Sequence, residues 1–224
     1  MRIVIRIGGS VVASPPNSQL IQKYAEILRN LRAMGYEMVV VVGGGAPARQ
    51  YIQLAKDIGL KEEEQDEVAI SVSRLFAQLF ALKIVGLEWK TIPTSLETVS
   101  DLLNEKGIVV MGGLKPGMTT DTVAAMVASQ VDAKLIIKAT DQDGVYTKDP
   151  KKYSDAEKID ELSFDDLSQL MDQDKHKAGI HQIIDPEAIR ILKKNRIKTI
   201  IVNGKNPENL LDALKGKKIG TIIQ

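Results

Sequence analysis

The chain has 224 residues, and its 30 basic and 29 acidic side chains leave a formal charge of only +1, which disfavours a general attraction to nucleic acid or to an acidic membrane. The absence of cysteine excludes disulfides, thiolate metal sites and thiol nucleophiles, and only His176 and His181 offer imidazole, so a zinc enzyme is disfavoured. Because no signal peptide or apolar run near 18 residues stands out, we expect a cytoplasmic protein with no membrane or nucleic-acid partner.

Apolar strand patterns and amphipathic helix patterns alternate along the chain. Buried strands are predicted at Arg2–Ile7, 38–42, Ile108–Met111, 135–138, 199–202 and Thr221–Ile223. Helices are predicted at 20–34, 48–55, 68–84, 121–130, 186–194 and 207–214, and the polar segment 172–182 is predicted to be a mobile loop. This alternation is typical of an α/β fold, which we expect to be a single-domain three-layer sandwich over residues 1–224 with a mainly parallel central sheet.

Three of the predicted strands end in glycine clusters, at Gly8-Gly9-Ser10, Gly43-Gly44-Gly45 and Gly112-Gly113. The carboxyl ends of parallel strands lie along one edge of a sheet, where ligands bind. Glycine lets backbone N–H groups approach an anion, and the start of the following helix adds a favourable dipole. A single cluster is equally well explained as a tight turn. Three on one edge indicate an extended polyanionic site, such as two phosphorylated ligands meeting head to head.

The common phosphate-binding motifs are absent from the sequence. There is no G-x-x-x-x-G-K-[ST], the triple glycine lacks the G-x-G-x-x-G spacing, and the protein-kinase motif set is missing. A nucleotide site in this chain therefore belongs to another architecture.

Three cations are candidates for the same edge of the sheet. Arg6 lies inside the first predicted strand, and a buried guanidinium needs a phosphate or carboxylate partner, unless it pairs with an adjacent strand or reaches solvent. Arg49 follows the triple glycine early in a helix, where a cation opposes the dipole and so suggests a bound anion. Lys138 ends a predicted strand and is either a phosphate ligand or an ordinary solvated strand end.

Carboxylates and hydroxyls also cluster near predicted strand ends. Asp141 and Asp143 flank a turn, where they either orient cations or hold Mg²⁺; a calcium loop is disfavoured because Lys152 stands where its glutamate belongs. The acidic run 62–67 either suits a helix start or supplies one acceptor for ribose hydroxyls. In 114–121, either Thr119, Thr120 or Asp121 is a plain helix cap, or the hydroxyls and backbone N–H groups at this helix start form part of a phosphate site.

Together these motifs resemble the amino acid kinase superfamily, and within it the uridylate kinases of the archaeal type. The resemblance covers almost the whole chain and includes Lys177-Ala178-Gly179 and Ile184-Asp185-Pro186. It implies an amino acid kinase-like fold, a homohexamer, and transfer of the γ-phosphoryl group of ATP to UMP with Mg²⁺ in pyrimidine nucleotide biosynthesis. It also implies that the N-terminal part binds UMP and that residues from about 135 to 224 bind ATP.

The resemblance distributes roles over the candidate residues. The catalytic set combines the cations Arg6 and Lys138 with Asp143, which would organise the cations or the magnesium. Residues implied for ATP are Gly8, Gly9, Ser10, Gly45, Arg49, Thr140, Asp141, Tyr146 and Asp149. Residues implied for UMP are Gly44, Asp66, Leu114, Lys115, Pro116, Gly117, Met118, Thr119 and Thr120. No residue of the chain is assigned as a dedicated metal ligand.

Two positions depart from the family pattern. Arg6 stands where many members have lysine, and its planar fork changes the contact geometry. Asp141 stands where relatives often have asparagine or lysine, which adds a negative charge.

Two alternatives to a uridylate kinase remain. One is another kinase of the superfamily that phosphorylates isopentenyl phosphate, carbamate or acetylglutamate; the first of these uses an acceptor-side histidine in its first half, and this chain has none before His176. The other is a non-catalytic protein of the same fold that binds nucleotides or anions. The scarcity of histidine favours a phosphate acceptor, because a phosphate monoester has a second pKa of about 6 and needs no general base near neutral pH.

Overall fold

The structure, a computed structural model, describes residues 1–86, 91–173 and 183–224. Within these ranges the strands are β1 Arg2–Ile7, β2 Glu37–Val42, β3 Ile108–Met111, β4 Leu135–Thr140, β5 Val145–Tyr146, β6 Lys158–Ile159, β7 Glu161–Leu162, β8 Lys198–Asn203 and β9 Thr221–Ile223. The helices are α1 Gly9–Val12, α2 Ser18–Ala33, α3 Gly45–Asp57, α4 Glu62–Val85, α5 Leu96–Lys106, α6 Thr120–Gln130, α7 Phe164–Gln173, α8 Pro186–Asn195 and α9 Asn209–Leu214.

The central sheet has the strand order β3-β2-β1-β4-β8-β9-β7. Its strands pair in parallel except β8 and β9, which are antiparallel, and β5 pairs with β6 in a separate small sheet. Helices α1 to α4 pack on one another, as do α5 to α8, and α4 and α6 both contact central strands. The predicted α/β fold with a mainly parallel sheet between helix layers is confirmed.

The core explains why the central strands are apolar along their whole length. Strands covered on both faces cannot alternate between apolar and polar side chains, and the residues Met38–Val42 and Ile108–Met111 are fully buried. Tyr24 of α2 packs edge-on against Phe80 of α4, and its hydroxyl donates to the Gly204 carbonyl at 2.7 Å. Burial raises the pKa of Tyr24, so this hydroxyl stays a donor. It fixes α2 to the loop that follows β8.

Helix α4 begins six residues before its predicted start at residue 68. The Glu64 carboxylate accepts from the Lys61 N–H at 2.7 Å, and three acidic residues in the first turn complement the helix dipole. Much of the acidic run is therefore part of the helix start. The helix α9 begins two residues later than predicted, and α5 and α7 were not predicted.

The length and composition of α4 contradict the expectation that no apolar run approaches a membrane span. Its 24 residues include an 18-residue window with a mean hydropathy of 1.7, of which 44% is buried in the structure. Ile70, Phe76 and Phe80 of this helix belong to the core. One such helix is weak evidence for a membrane span, because a core helix has the same properties.

The predicted mobile loop at 172–182 overlaps α7, which extends to Gln173. Residues 174–182, with Lys177-Ala178-Gly179 and both histidines, lie outside the described residues.

Candidate active site

The first two glycine turns and the end of β4 enclose a cleft of about 600 Å³ at the carboxyl edge of the sheet. Its lining includes ten of the predicted site residues: Arg6, Gly9, Ser10, Gly44, Gly45, Arg49, Thr120, Lys138, Thr140 and Asp141. It also includes Gly43, Asp121, Gln142, Lys151 and Ile183. The parallel register places Arg6 directly opposite Lys138 on neighbouring strands. The sheet therefore brings together residues that are more than 130 positions apart.

The two glycine turns touch each other so closely that neither tolerates a side chain. A Cβ on Gly9 would lie 2.1 Å from the Gly45 nitrogen, and one on Gly45 would lie 2.4 Å from the Gly9 carbonyl oxygen. Ser14 ties the turns together, because its hydroxyl donates to the Gly9 carbonyl at 3.0 Å and accepts from the Ala46 N–H at 2.7 Å. Glycine is thus required here by backbone contact between the turns that line the cleft.

Two other glycine positions serve packing. The Gly8 N–H donates to the Ala139 carbonyl at 2.8 Å, so it is used within the sheet and is not offered to a phosphate. A Cβ on Gly8 would lie 2.8 Å from Arg6 Nη1. The Gly113 N–H donates to Ser73 Oγ at 2.8 Å. The third glycine turn therefore packs against α4 and does not line the cleft.

Asp121 is the carboxylate that joins the buried Lys138 to the partly buried Arg6 in the cleft. Arg6 Nε lies 2.7 Å from Asp121 Oδ1, but the N–H is not aimed at that oxygen, so the contact is an ion pair without a hydrogen bond. Arg6 Nη2 donates to Thr120 Oγ1 at 2.9 Å. Lys138 Nζ donates to the other Asp121 oxygen and to the Ile183 carbonyl. The expected carboxylate partner of Arg6 exists, and it lies on α6 and not on an adjacent strand.

Burial and neighbouring charges shift the pKa values of Lys138 and Asp121. Burial lowers the pKa of Lys138 to about 8, although the negative charge of Asp121 opposes the shift. Burial alone would raise the pKa of Asp121, but the charges of Arg6 and Lys138 hold it below its usual value. Asp121 is therefore ionised at neutral pH, and Lys138 is mostly protonated but close to its titration range.

A second ion pair also lines the cleft. Lys151 Nζ lies 3.1 Å from Asp141 Oδ2. Burial alone would raise the pKa of Asp141, but the hydrogen bond and the positive charge of Lys151 hold it below its usual value. The Asp149 carboxylate accepts from the Lys151 N–H at 3.0 Å and so shapes the turn that carries Lys151. Arg49 is exposed and has no hydrogen-bond or ion-pair partner among the described residues. The described lining thus carries four cations and two carboxylates.

A model described as the amino acid kinase family matches residues 1–203.

The chain belongs to the amino acid kinase family. Its full-length relatives include a uridylate kinase of Methanocaldococcus jannaschii, 40% identical over 226 residues with 100% of both chains covered. Another is a uridylate kinase of Methanothermobacter thermautotrophicus, 39% identical, covering 100% of this chain and 99% of the relative. The crystal structure of the uridylate kinase from Archaeoglobus fulgidus superposes with a TM-score of 0.89 at 36% identity and covers all of both chains. A UMP kinase from Bacillus anthracis, TM-score 0.80 and 21% identical, shares the fold.

In this amino acid kinase, side chains of α4 hold the loop at 114–118. The Asp66 carboxylate accepts from the Gly117 N–H at 2.8 Å. Arg74 donates to the Gly113 and Leu114 carbonyls at 3.0 and 2.8 Å. Asp66 and the loop, both predicted to contact UMP, are therefore adjacent, although neither lines the cleft. The sequence does not predict this role of Arg74, because a hydrogen bond to backbone carbonyls about 40 positions away in the chain leaves no local sequence pattern.

Thr119 is the N-cap of α6, which was one of the two interpretations of this segment. Its hydroxyl accepts from the N–H groups of Asp121 and Thr122 and donates to Asp185 Oδ2 at 2.5 Å. Thr122 donates to the other Asp185 oxygen at 2.7 Å, and Asp185 caps α8. Among the residues 114–120, Thr120 alone lines the cleft. Asp185 thus links the starts of α6 and α8 beside the cleft.

Asp143 lies apart from the cations that it was predicted to organise. Its carboxylate accepts from Asn203 Nδ2 at 2.8 Å and does not line the cleft. Burial and then the negative charge of Asp143 raise the pKa of nearby Tyr146. In the described structure, Asp121 and not Asp143 contacts both Arg6 and Lys138. Asp121 had been considered only as a helix cap.

Proposed function

We propose that the protein is a uridylate kinase that transfers the γ-phosphoryl group of ATP to UMP, giving UDP and ADP. The observation that carries this conclusion is the glycine-walled cleft, in which Arg6 and Lys138 lie side by side at the strand ends. A buried and a partly buried cation beside closely apposed glycine turns suit the crowded negative charge of two phosphorylated substrates. The full-length likeness to uridylate kinases supports UMP as the acceptor.

The reaction needs positioning and charge neutralisation more than covalent chemistry. A phosphate oxygen of UMP attacks the γ-phosphorus of ATP while the bond from that phosphorus to the β,γ-bridging oxygen breaks in line. The attacking oxygen is already deprotonated in most UMP molecules, because the second pKa of a phosphate monoester is about 6. Arg6 and Lys138 stabilise the charge on the transferred group, and Asp121 holds both cations in place.

The two substrates would approach from different sides of the cleft. For ATP, the turn at Gly9-Ser10, Gly45 and Arg49 would hold the phosphates, and the segment from Thr140 to Asp149 would lie beside the nucleoside. For UMP, Gly44 would contact the nucleotide, the segment 114–120 would wrap the phosphate, and Asp66 would accept from the ribose. This division places the nucleoside of ATP beside residues from about 135 onward and UMP beside the N-terminal part.

Magnesium fits this site as a companion of ATP. No three His, Cys, Asp or Glu side chains cluster as a metal site in the part of the chain that the structure describes. Mg²⁺ commonly binds through substrate phosphates and one or two carboxylates, and Asp141 is the lining carboxylate that is not held by buried cations. When bound, the ion would neutralise charge on the β- and γ-phosphates.

An acceptor panel tests the proposal. ADP release is measured with ATP, Mg²⁺ and one of UMP, CMP, AMP, GMP, isopentenyl phosphate, carbamate or acetylglutamate. We expect rapid turnover with UMP and little with the other compounds. Turnover of another acceptor with UMP untouched would replace the assignment, and ATP binding without any turnover would favour a non-catalytic binding protein.

Activity is expected to fall as the pH rises through about 8. Lys138 loses its proton in that range, and kcat/KM reports the ionisation of the free enzyme, so we expect a tenfold fall per pH unit. The effect on stability has the opposite sign. Between about 8 and the usual 10.5, the folded chain binds fewer protons than the unfolded chain, so this group's contribution to the free energy of unfolding rises with pH.

The matched control variant for this dependence of kcat/KM on pH is Lys138→Arg, because the arginine side chain stays charged over the whole pH range. Its kcat/KM should be lower at pH 7 but flat to pH 9.5. A wild-type profile that stays flat to pH 9.5 would show that the protonation of Lys138 does not limit the reaction.

We also propose a homohexamer, and exposed apolar side chains support association through α3 and α4. Leu75, Leu79 and Leu82 recur on one side of α4 and are 38–56% exposed. Helix α3 packs against α4, and its residues Tyr51 and Leu54 and its C-cap Ile58 are 52–68% exposed. Clustered apolar side chains of this kind commonly mark protein interfaces.

Light scattering on the purified protein tests this assembly. We expect a mass six times that of the 24.6 kDa chain, and a smaller species for Leu75→Glu/Leu79→Glu, because buried charges oppose the contact. Met34→Glu, which alters an exposed side chain at the end of α2, should leave the mass unchanged. A monomeric wild type, or a double variant with the wild-type mass, would refute the interface.

A further inference from the structure

A second large cleft lies at the opposite edge of the sheet from the proposed active site. It measures about 880 Å³ and is lined by Ser163, Phe164, Asp165, Arg190, Lys193, Lys194, Arg196, Lys198, and Gln224. Lys198 begins β8, whose other end faces the active-site edge, and Gln224 follows the antiparallel β9. The six residues of β8 span about 20 Å, so the two clefts are separated by the length of the sheet. We call the second one the basic cleft.

The basic cleft has more positive charge than its neighbours neutralise. Five of its lining residues are cations, and Asp165 is the one lining carboxylate side chain. Asp165 pairs with Lys193, and Arg190 pairs with Glu187 of its own helix at 2.6 Å. Lys194, Arg196 and Lys198 have no ion-pair partner within the described ranges. Three unpaired cations thus remain around one concavity.

Helix α8, its C-cap and strand β8 carry these three cations. Arg196 is the C-cap of α8 with a φ of +51°, and its N–H donates to the Leu192 and Lys193 carbonyls. Ile197 beside it is buried, and Lys198 is a half-buried strand residue paired in register with Leu135. The negative C-terminal end of the α8 dipole stabilises the positive charges of Lys193 and Lys194. Lys198 lies on strand β8, where that dipole does not stabilise it. Mutual repulsion of fixed cations is relieved when an anion binds between them.

We propose that the basic cleft binds a small molecule carrying several phosphate groups. A triphosphate matches three unpaired cations in number, and the guanidinium of Arg196 can hold a phosphate in a bidentate fashion. A concave site suits a small anion better than an extended strand of nucleic acid. The one aromatic side chain in the lining, Phe164, is buried and cannot act as a stacking surface for bases. The proposal does not depend on which acceptor the active site uses.

Binding stoichiometry separates the basic cleft from the active site. Isothermal titration with inorganic triphosphate at 150 mM salt should show two sites per chain in the wild type. The variant Lys194→Gln/Arg196→Asn/Lys198→Gln should show one, with unchanged ADP release in the kinase assay. Asparagine is chosen at 196 because it tolerates positive φ. The control Lys56→Gln/Lys83→Gln/Lys106→Gln removes the same charge outside both clefts and should keep two sites.

An equal number of sites in the wild type and in the basic-cleft variant overturns the proposal, and ADP release reports separately on the proposed kinase activity. Repeating the titration with UTP shows whether the site recognises a nucleotide or only its phosphate groups. Tenfold tighter binding than inorganic triphosphate at the second site indicates a nucleotide ligand, and equal binding indicates recognition of the phosphate groups alone; both support the site.

Discussion

Replacing Arg6 by alanine is expected to lower kcat by 100-fold or more while the chain stays folded. The variant removes one of two cations that face the transferred phosphoryl group in the proposed reaction. Loss of a single preorganised donor to developing charge typically reduces kcat by about 10² to 10³. Asp121 keeps its contact with Lys138, so it is not left as an unpaired buried charge, and the fold should survive. ADP release under saturating substrates measures the effect.

Arg6→Lys and Arg29→Ala are the matched variants. Lysine keeps the charge at position 6 but loses the guanidinium that reaches Thr120, so we expect an intermediate rate. Arg29 donates to the Lys83 carbonyl on the exposed surface, and its loss should leave kcat unchanged. Wild-type turnover in Arg6→Ala would mean that the guanidinium has no part in the chemistry.

Gly9→Ala is expected to abolish measurable activity and to destabilise the fold by about 3 kcal/mol, the upper part of the usual cost of overpacking. The added Cβ would lie 2.1 Å from the Gly45 nitrogen and 2.5 Å from its Cα, so the two turns must separate. Because both turns line the cleft, their separation displaces the backbone N–H groups that would hold phosphates. Urea unfolding and ADP release measure the two effects.

Gly59→Ala is the control for a glycine replacement as such. Gly59 has a φ of +83° and nothing within 4 Å of the added Cβ, so only backbone strain of about 1 kcal/mol is expected, with normal activity. If Gly9→Ala were no more harmful than Gly59→Ala, the contact between the turns would not matter for catalysis.

The sequence predicted those parts of the site that depend on local pattern. Apolar runs that end in glycine locate strand ends, and parallel strands place those ends together, so the positions of Gly9, Gly45 and Lys138 followed directly. The same pattern could not separate glycines that border the cleft from Gly8, whose N–H is used within the sheet. That distinction depends on which neighbouring carbonyl lies within reach.

Contacts between distant segments were beyond such reasoning. Asp121 looks like a helix cap in sequence, and only the packing of α6 under β1 and β4 brings it to Arg6 and Lys138. Asp143 lies in a more conspicuous motif but pairs with Asn203. The apolar length of α4 was underestimated because Arg74 and Lys83 interrupt it, although Arg74 turns toward the loop after β3.

The most direct test of the central claim is a crystal structure with UMP and a non-hydrolysable ATP analogue bound together. We predict that the γ-phosphate analogue lies between the turns at Gly9 and Gly45, within hydrogen-bonding distance of Arg6 and Lys138, with a UMP phosphate oxygen in line beside Thr120. A complex in which the nucleotides occupy another part of the chain, or in which Arg6 and Lys138 contact neither phosphate, would contradict the account.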